Sequence, residues 1–498
     1  MFTPRRPALA LSLPVLPARS FPRAVLVGLL CSLLVAAVPT QAQPTPHAAA
    51  DTVRLQLTSS VQRALQVSPE VDQVRTQRRR AAARHREARA SRFLTDFSLN
   101  TAHSVAPGLT NTASTDEPPR SYYLDPSIDN DWTLGALRPF SDFSVVAGPL
   151  KKKWGELSGT LRAADHAVDV EAARVDGKAL EVAFRTGEIY YNVLLTEALD
   201  RLADRTGDVI DRAQREVQRL LDEGSEDVDN ADLFQVRLTE QEYRRRLVEI
   251  DQRRTTARSA LRRQLFLDDA TPLELAADDL TPIEFRLHPD SLQHYLALGR
   301  QHRPELNQAE AGIAARQALV DVARSDYYPK LGFQATYGYS FTLPERPRQK
   351  NAFIGDPYRG SRTRTGFGLQ MNLNFKQTEA RVEQAQAQLN EVRYQEEGAQ
   401  QLIRFEIEDA YRQVIIAQTD VQSRDEDVRI TTEWLRTEQI NFDLGFGDTE
   451  NLVKAVRANL EAEARYYEAV QRFNIAVLRL WRVTGVLADR AQNGTLID

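Results

Sequence analysis

Side chains able to do chemistry are scattered rather than grouped. The seven histidines, His47, His85, His103, His166, His288, His294 and His302, stand in no metal-ligand spacing. The chain has no glycine-rich phosphate loop and no nucleophile elbow. The only cysteine, Cys31, lies in the leading apolar segment, so the mature chain offers no disulfide and no thiol. Tyr190-Tyr191 and Tyr466-Tyr467 fall at helical positions and read as packing residues. No catalytic residue, metal site or cofactor site is expected, and the chain does not read as an enzyme. Two acidic turns remain: Gly224-Ser225-Glu226-Asp227-Val228-Asp229-Asn230 and Gly445-Phe446-Gly447-Asp448-Thr449-Glu450-Asn451. Carboxylates at such turns cap the next helix. Gathered from several copies around one axis, they would also form a ring that attracts cations.

The elements that must position these turns begin with two alternating stretches. In Leu331–Phe341, Leu331, Phe333, Ala335, Tyr337, Tyr339 and Phe341 alternate with Gly332, Gln334, Thr336, Gly338 and Ser340. In Gly366–Phe375, Phe367, Leu369, Met371, Leu373 and Phe375 alternate with Gly368, Gln370, Asn372 and Asn374. Successive strand side chains point to opposite faces, so each stretch has an apolar and a polar face. A length of about ten residues suits a tilted membrane strand, and a polar face without charge suits a water-filled lumen. A hairpin on a soluble sandwich fits the alternation equally well. The surrounding helices decide between the two.

The chain has 498 residues, 42% hydrophobic and 27% charged, with a formal net charge of −5. This is the composition of a folded protein, and it gives no electrostatic case for nucleic acid. The run Arg78-Arg79-Arg80, close to Glu87, reads as a solvated helix face. Residues 1–42 read as a signal peptide. Arg5, Arg6, Arg19 and Arg23 precede the apolar Ala24–Val38, and Thr40-Gln41-Ala42 ends the segment. Leu30 precedes Cys31 where a lipoprotein signal needs a small residue, so no lipid anchor is expected.

The rest of the chain contains one unit twice. Ser68-Pro69-Glu70-Val71 corresponds to Arg303-Pro304-Glu305-Leu306, and the two acidic turns correspond to each other. Each half is expected to run helix, strand, polar loop, strand, very long helix, glycine turn, helix. The first helices are placed at about 58–92 and 289–326. The strands are placed at about 93–104 and 132–147 in the first half, and 331–341 and 366–375 in the second. Asp96 and Arg138 break the alternation of the first pair. The long helices, about 151–221 and 378–441, contain no proline. Val168, Val175, Val182 and Ile189 recur every seven residues, as do Ile407, Val414, Val421, Val428 and Leu435. Ala164, Ala172, Ala179 and Ala183 widen the seam, which suits helices packed side by side in a cylinder. At roughly 1.5 Å per residue such a helix is about 100 Å long. Gly224 and Gly445 fit left-handed caps past the helix ends, with Asp229, Asn230, Asp448 and Asn451 placed to start the next helix.

Two hairpins give four strands, too few for a barrel that holds anything, and an open edge cannot face lipid. Several copies must then share one barrel, with the helices forming a matching hollow bundle. In this order and spacing the chain resembles the TolC-type outer-membrane efflux channels. The resemblance is carried by the duplicated unit, the Pro-Glu-Val and Pro-Glu-Leu pair, Tyr328-Pro329-Lys330-Leu331, Gly148-Pro149-Leu150 and the Gly224 and Gly445 turns. It covers about 57–487. The resemblance implies a mainly α fold with membrane β: a homotrimer whose twelve-stranded barrel in outer-membrane lipid continues as a periplasmic α-helical barrel. It implies a passive exit duct for drugs, metals or proteins, docked through a periplasmic adaptor to an inner-membrane pump. The domain reading is a signal peptide (1–42), a linker (43–56), a first repeat (57–268), an inter-repeat equatorial segment (269–289), a second repeat (290–487) and a frayed polar tail (488–498).

The same resemblance places a periplasmic gate at the tip, at Gly224, Asp227, Asp229, Asn230, Phe442, Gly445, Asp448, Glu450 and Asn451. Family acids match Asn451 and Lys454 here, and a latching tyrosine and arginine match Phe442 and Gly447. Neither replacement can make the same bond. The competing reading is a soluble periplasmic coiled-coil adaptor, which shares the leader and the heptads but would carry one helical hairpin and no paired strands. The topology is testable. With Lys330 at the periplasmic boundary and 342–365 at the cell surface, an Asp356→Cys variant should react with an impermeant thiol reagent on intact cells. Labelling only after lysis would contradict it.

Overall fold

A computed structural model describes residues 53–90, 97–111, 132–152, 155–223, 230–268, 271–277, 279–288, 291–343, 358–444 and 449–496. The expected signal peptide, residues 112–131 and 344–357 of the loops between paired strands, and most of both acidic turns lie outside these residues.

The first half contains β1 (Val53–Leu55), α1 (Leu57–Val67), α2 (Pro69–Ala90), β2 (Phe97–Asn111), β3 (Trp132–Lys152), α3 (Glu156–Asp222) and α4 (Asn230–Gln264). After β4 (Leu273–Leu275) the order repeats with α5 (Ser291–His302), α6 (Pro304–Ser325), β5 (Lys330–Thr342), β6 (Gly360–Gln370), α7 (Phe375–Asp443) and α8 (Thr449–Val483). A short α9 (Leu487–Gln492) comes last. The long helices have 67 and 69 residues, so each extends about 100 Å at the α-helical rise.

The expected single helix at the start of each half is two helices. The break falls before Pro69 and Pro304. Proline lacks the amide hydrogen and pushes the preceding residue out of the α region. Ser68 (φ −69, ψ 119) and Arg303 (φ −71, ψ 117) are extended accordingly. Proline then occupies the first helical turn, where no amide partner is needed. The two Pro-Glu motifs therefore mark the start of a second helix rather than a point inside the first.

The helices lie side by side in two tiers. Toward the strands the neighbour order is α2, α3, α6, α7; away from them it is α4, α3, α8, α7. The long helices run through both tiers. Their heptad residues sit between neighbours, with Val182, Ile407 and Val414 fully buried. The main core lies where the tiers meet. Leu57, Val61 and Ala64 of α1 pack there with Tyr190 and Val193 of α3, Leu261, and Val477, Leu478 and Trp481 of α8. Burial pushes the Tyr190 hydroxyl up to about 12, with Glu197 adding to the effect, as befits a packing residue.

The inter-repeat segment wraps this core. β4 pairs in parallel with β1, from Val53 with Leu273 to Leu55 with Leu275. Buried Asn474 holds the residues after β4. Its Oδ1 accepts from the Ile283 amide at 2.8 Å, and its Nδ2 donates to the Thr281 carbonyl at 2.9 Å. The tail expected to fray is instead held. Leu487, Ala491 and Leu496 are fully buried, and Gln62 Nε2 donates to the Ala491 carbonyl at 2.8 Å. Its few apolar residues are spaced as one short helical face, a pattern too brief to stand out among polar neighbours.

Gly485 turns the chain between α8 and α9. Its φ is +83°, and a Cβ there would stand 2.4 Å from the His302 carbonyl oxygen. Gly494 also has a positive φ, +77°, but a Cβ there would meet nothing within 4 Å. The left-handed conformation alone costs an L-residue about 1–2 kcal/mol; at Gly485 the backbone clash adds to it. Gly485→Ala should therefore lower the thermal midpoint of the helical circular dichroism signal clearly more than Gly494→Ala. Equal losses would show that the α5–α8 contact does not constrain this turn.

Candidate functional site

The four long strands make one antiparallel sheet in the order β2-β3-β5-β6. Register assigns each side chain to a face. Phe333 pairs with Phe367 and Leu331 with Leu369; Tyr339 pairs with Phe143 and Tyr337 with Val145; Leu99 also pairs with Val145. These residues share one apolar face, where Phe333 and Phe367 rings meet at 4.8 Å and Phe143 and Phe341 stack at 6.0 Å. Among the described residues nothing covers this face: Phe367 is 81% exposed and Leu369 72%.

The opposite face is polar, with Ser98, Asn100, Ser144, Gln334, Thr336 and Ser340. It carries charge as well, contrary to the sequence expectation. β6 is Gly360–Gln370 rather than 366–375, because β5 continues as far as Thr342 and draws the preceding residues of its partner into the ladder. Arg362 and Arg364 thereby join the polar face. Arg362 Nη2 donates to Ser340 Oγ at 2.8 Å and lies 3.2 Å from Asp142 Oδ1, and Ser340 Oγ donates to Asp142 Oδ1 at 2.7 Å. This cross-strand triad was missed in the sequence. The alternation Ser361-Arg362-Thr363-Arg364-Thr365 holds a signal for it, since threonine favours strands. Downstream, Met371–Asn374 is not strand. The Asn374 side chain accepts from the Gln377 amide and starts α7. In the first half the strands run further than expected, to Asn111 and Lys152.

The helix ends of the sheet are fastened ionically. Lys330 Nζ lies 2.7 Å from Asp326 Oδ1 and 3.9 Å from Glu156 Oε2, and Arg381 Nη1 is 3.6 Å from Asp326 Oδ2. These ion pairs tie the start of β5 to α3, to the end of α6 and to the start of α7.

At the far ends of the long helices, Val217 of α3, Leu233 and Val236 of α4 and Val453 of α8 form a small separate core. Arg457 Nη2 lies 3.4 Å from Glu242 Oε2, which also ties α8 to α4. The end of α3, the start of α4 and the start of α8 are therefore held together. Asn230 is the first residue of α4 and exposed; Phe442 is half-buried in the last turn of α7; Glu450 and Asn451 are exposed in the first turn of α8. Glu450 Oε1 pairs with Lys454 Nζ at 2.6 Å, which offsets part of the negative charge expected there. Gly224, Asp227, Asp229, Gly445 and Asp448 lie outside the described residues.

Comparison with known proteins agrees with this architecture. Residues 296–486 match the Outer membrane efflux protein family. Protein CyaE of Bordetella pertussis is 29% identical over 177 residues, 35% of this chain and 36% of that protein. The chain thus spans about a third of that curated relative. The MtrE outer-membrane channel of Neisseria gonorrhoeae, solved in its open state, superposes with a TM-score of 0.67 at 14% identity, over 86% of this chain and 89% of that one. The outer-membrane protein VceC of Vibrio cholerae superposes with a TM-score of 0.64 at 16% identity, over 86% and 96%. Residues 296–486 are thus similar to the outer membrane efflux protein family, and the described fold of the chain is that of the solved outer-membrane channels.

Proposed function

We propose that the chain is the outer-membrane exit duct of a tripartite efflux or secretion system. Three copies place their four-stranded sheets edge to edge in the outer membrane, giving twelve strands, and their helices continue the pore through the periplasm. The observation that carries this is the sheet itself: one bare apolar face, one polar face, and unpaired edges at β2 and β6 among the described residues. In water the apolar face and the edges would drive aggregation; in lipid an open edge leaves backbone groups unsatisfied. Closure with further copies removes both problems at once. The helical tiers support the same reading. Their flanking members, α4 and α7, expose Phe234, Leu238 and Val248, and Leu402, Phe405, Ile416 and Ile430.

A soluble periplasmic adaptor would have no use for an uncovered aromatic face. Cargo moves through the duct passively, driven by an inner-membrane pump that a periplasmic adaptor connects to the distal turns. Drugs, metals and proteins all fit such a conduit, and specificity is assigned to the pump.

The gate belongs to the distal turns. Copies of Asp227, Asp229, Asp448 and Glu450 converge around the axis with Gly224, Asn230, Phe442, Gly445 and Asn451 shaping the constriction. Without a tyrosine at Phe442 or an arginine at Gly447 the closed state rests on helix packing alone or is leakier. A carboxylate ring favours cations and disfavours anions. In a planar bilayer, Asp448→Asn/Glu450→Gln should lose cation selectivity and block by divalent cations added from the periplasmic side. Unchanged selectivity with unchanged conductance would mean that the constriction lies elsewhere.

A further inference from the structure

The duplication supplies a template for a contact the single chain leaves unmade. Aligning Gly224 with Gly445 places Glu188-Ile189-Tyr190 of α3 on Asp409-Ala410-Tyr411 of α7, and buried Val193 on buried Val414. Aligning Pro69 with Pro304 places α2 on α6. The tier order α2, α3, α6, α7 then contains two kinds of seam. The α2–α3 seam repeats as α6–α7: Arg185 Nη2 reaches Glu70 Oε1 at 2.7 Å, and the counterparts of those two residues, Glu406 and Glu305, are both held by Arg303. The α3–α6 seam has no second instance among the described residues, because the matching face of α7 and the outer face of α2 are both bare.

We propose that α7 of one copy packs against α2 of the next as α3 packs against α6, with the charges of the seam reversed. This rests on the shared-barrel reading above. Within the chain, Arg162 Nη2 of α3 pairs with Asp321 Oδ2 of α6 at 3.0 Å. The counterparts are Glu383 on α7 and Arg86 on α2, both exposed and both without an ionic or hydrogen-bond partner among the described residues. A Cβ at Gly177 would lie 3.8 Å from the Pro304 Cβ; the counterparts, Gly398 and Pro69, are exposed, and a Cβ at Gly398 would meet nothing within 4 Å. Gly159, which closes on Val322, corresponds to the exposed Ala380.

The reversal gives the seam a function. If α7 docked on α6 of another copy, Glu383 would face Asp321; if α3 docked on α2, Arg162 would face Arg86. Each wrong pairing brings like charges together, so the two seams of one chain cannot exchange. The glutamate and arginine thus act as the determinant that separates contacts within a copy from contacts between copies.

A Cβ separation near 3.8 Å matches disulfide geometry. In the full chain, Pro69→Cys/Gly398→Cys should give two-chain and three-chain bands on a non-reducing gel after oxidation. Gly177→Cys/Pro304→Cys should close within one chain and add no such band. Glu383→Arg should reduce the detergent-stable oligomer, and adding Arg86→Glu should restore it, which a merely structural defect would not allow. An oligomer that is intact by light scattering but gives only single-chain bands in the first variant would overturn the seam while leaving the shared barrel standing. A wild-type protein with no oligomer at all would remove both.

Discussion

The structure depends on one constraint: backbone groups at a strand edge must be hydrogen-bonded wherever water is absent. A four-stranded sheet with edges at β2 and β6 cannot meet it alone. Its uncovered aromatic face makes the requirement stricter, because that face belongs in the environment where an unpaired edge is most costly. The same logic reaches the helices. A tier of four helices ends in two flanks, and the apolar residues left on α4 and α7 are unstable in water until another flank covers them. Among the described residues, sheet and tiers are therefore both left open at their edges, and the proposed ring of copies would complete both.

Duplication explains how one chain builds such an object. Two copies of a helix, hairpin and long-helix unit lie side by side, and in the proposed assembly a third and fourth unit from a neighbour extend the row. Small residues at the seams, such as Gly159 and Gly187, let backbones approach closely; a Cβ at Gly187 would overlap Leu478. The row is braced where the tiers meet. There α1, α9, β1, β4 and the segment held by Asn474 wrap the long helices, and the buried Arg303 with Glu305 and Glu406 replaces the simpler Arg185–Glu70 pair of the first half.

Much of this was legible in the sequence, because long periodic patterns leave little freedom. The heptads at Val182, Ile407 and Val414 and the repeated Pro-Glu motif placed the long helices and the duplication. What failed was local. Proline was read as a repeat marker, although Pro69 and Pro304 end one helix and start the next. The charged part of β6 was read as loop, because Arg362 and Arg364 look like solvent residues until the ladder with β5 sets them on the polar face of the sheet. The tail was read as frayed since Leu487, Ala491 and Leu496 form too short a pattern to detect. At the distal turns the sequence named the acids, but the pairing of Glu450 with Lys454 became visible only with the helix geometry in place.

The central claim is that the fold is complete only as a closed ring of copies. The most direct measurement is the native mass of the protein released from outer membranes in mild detergent, taken together with its strand content. The account predicts a single species of three chains whose β signal disappears when the species is dissociated. A single chain that keeps the full strand signal in detergent would contradict it.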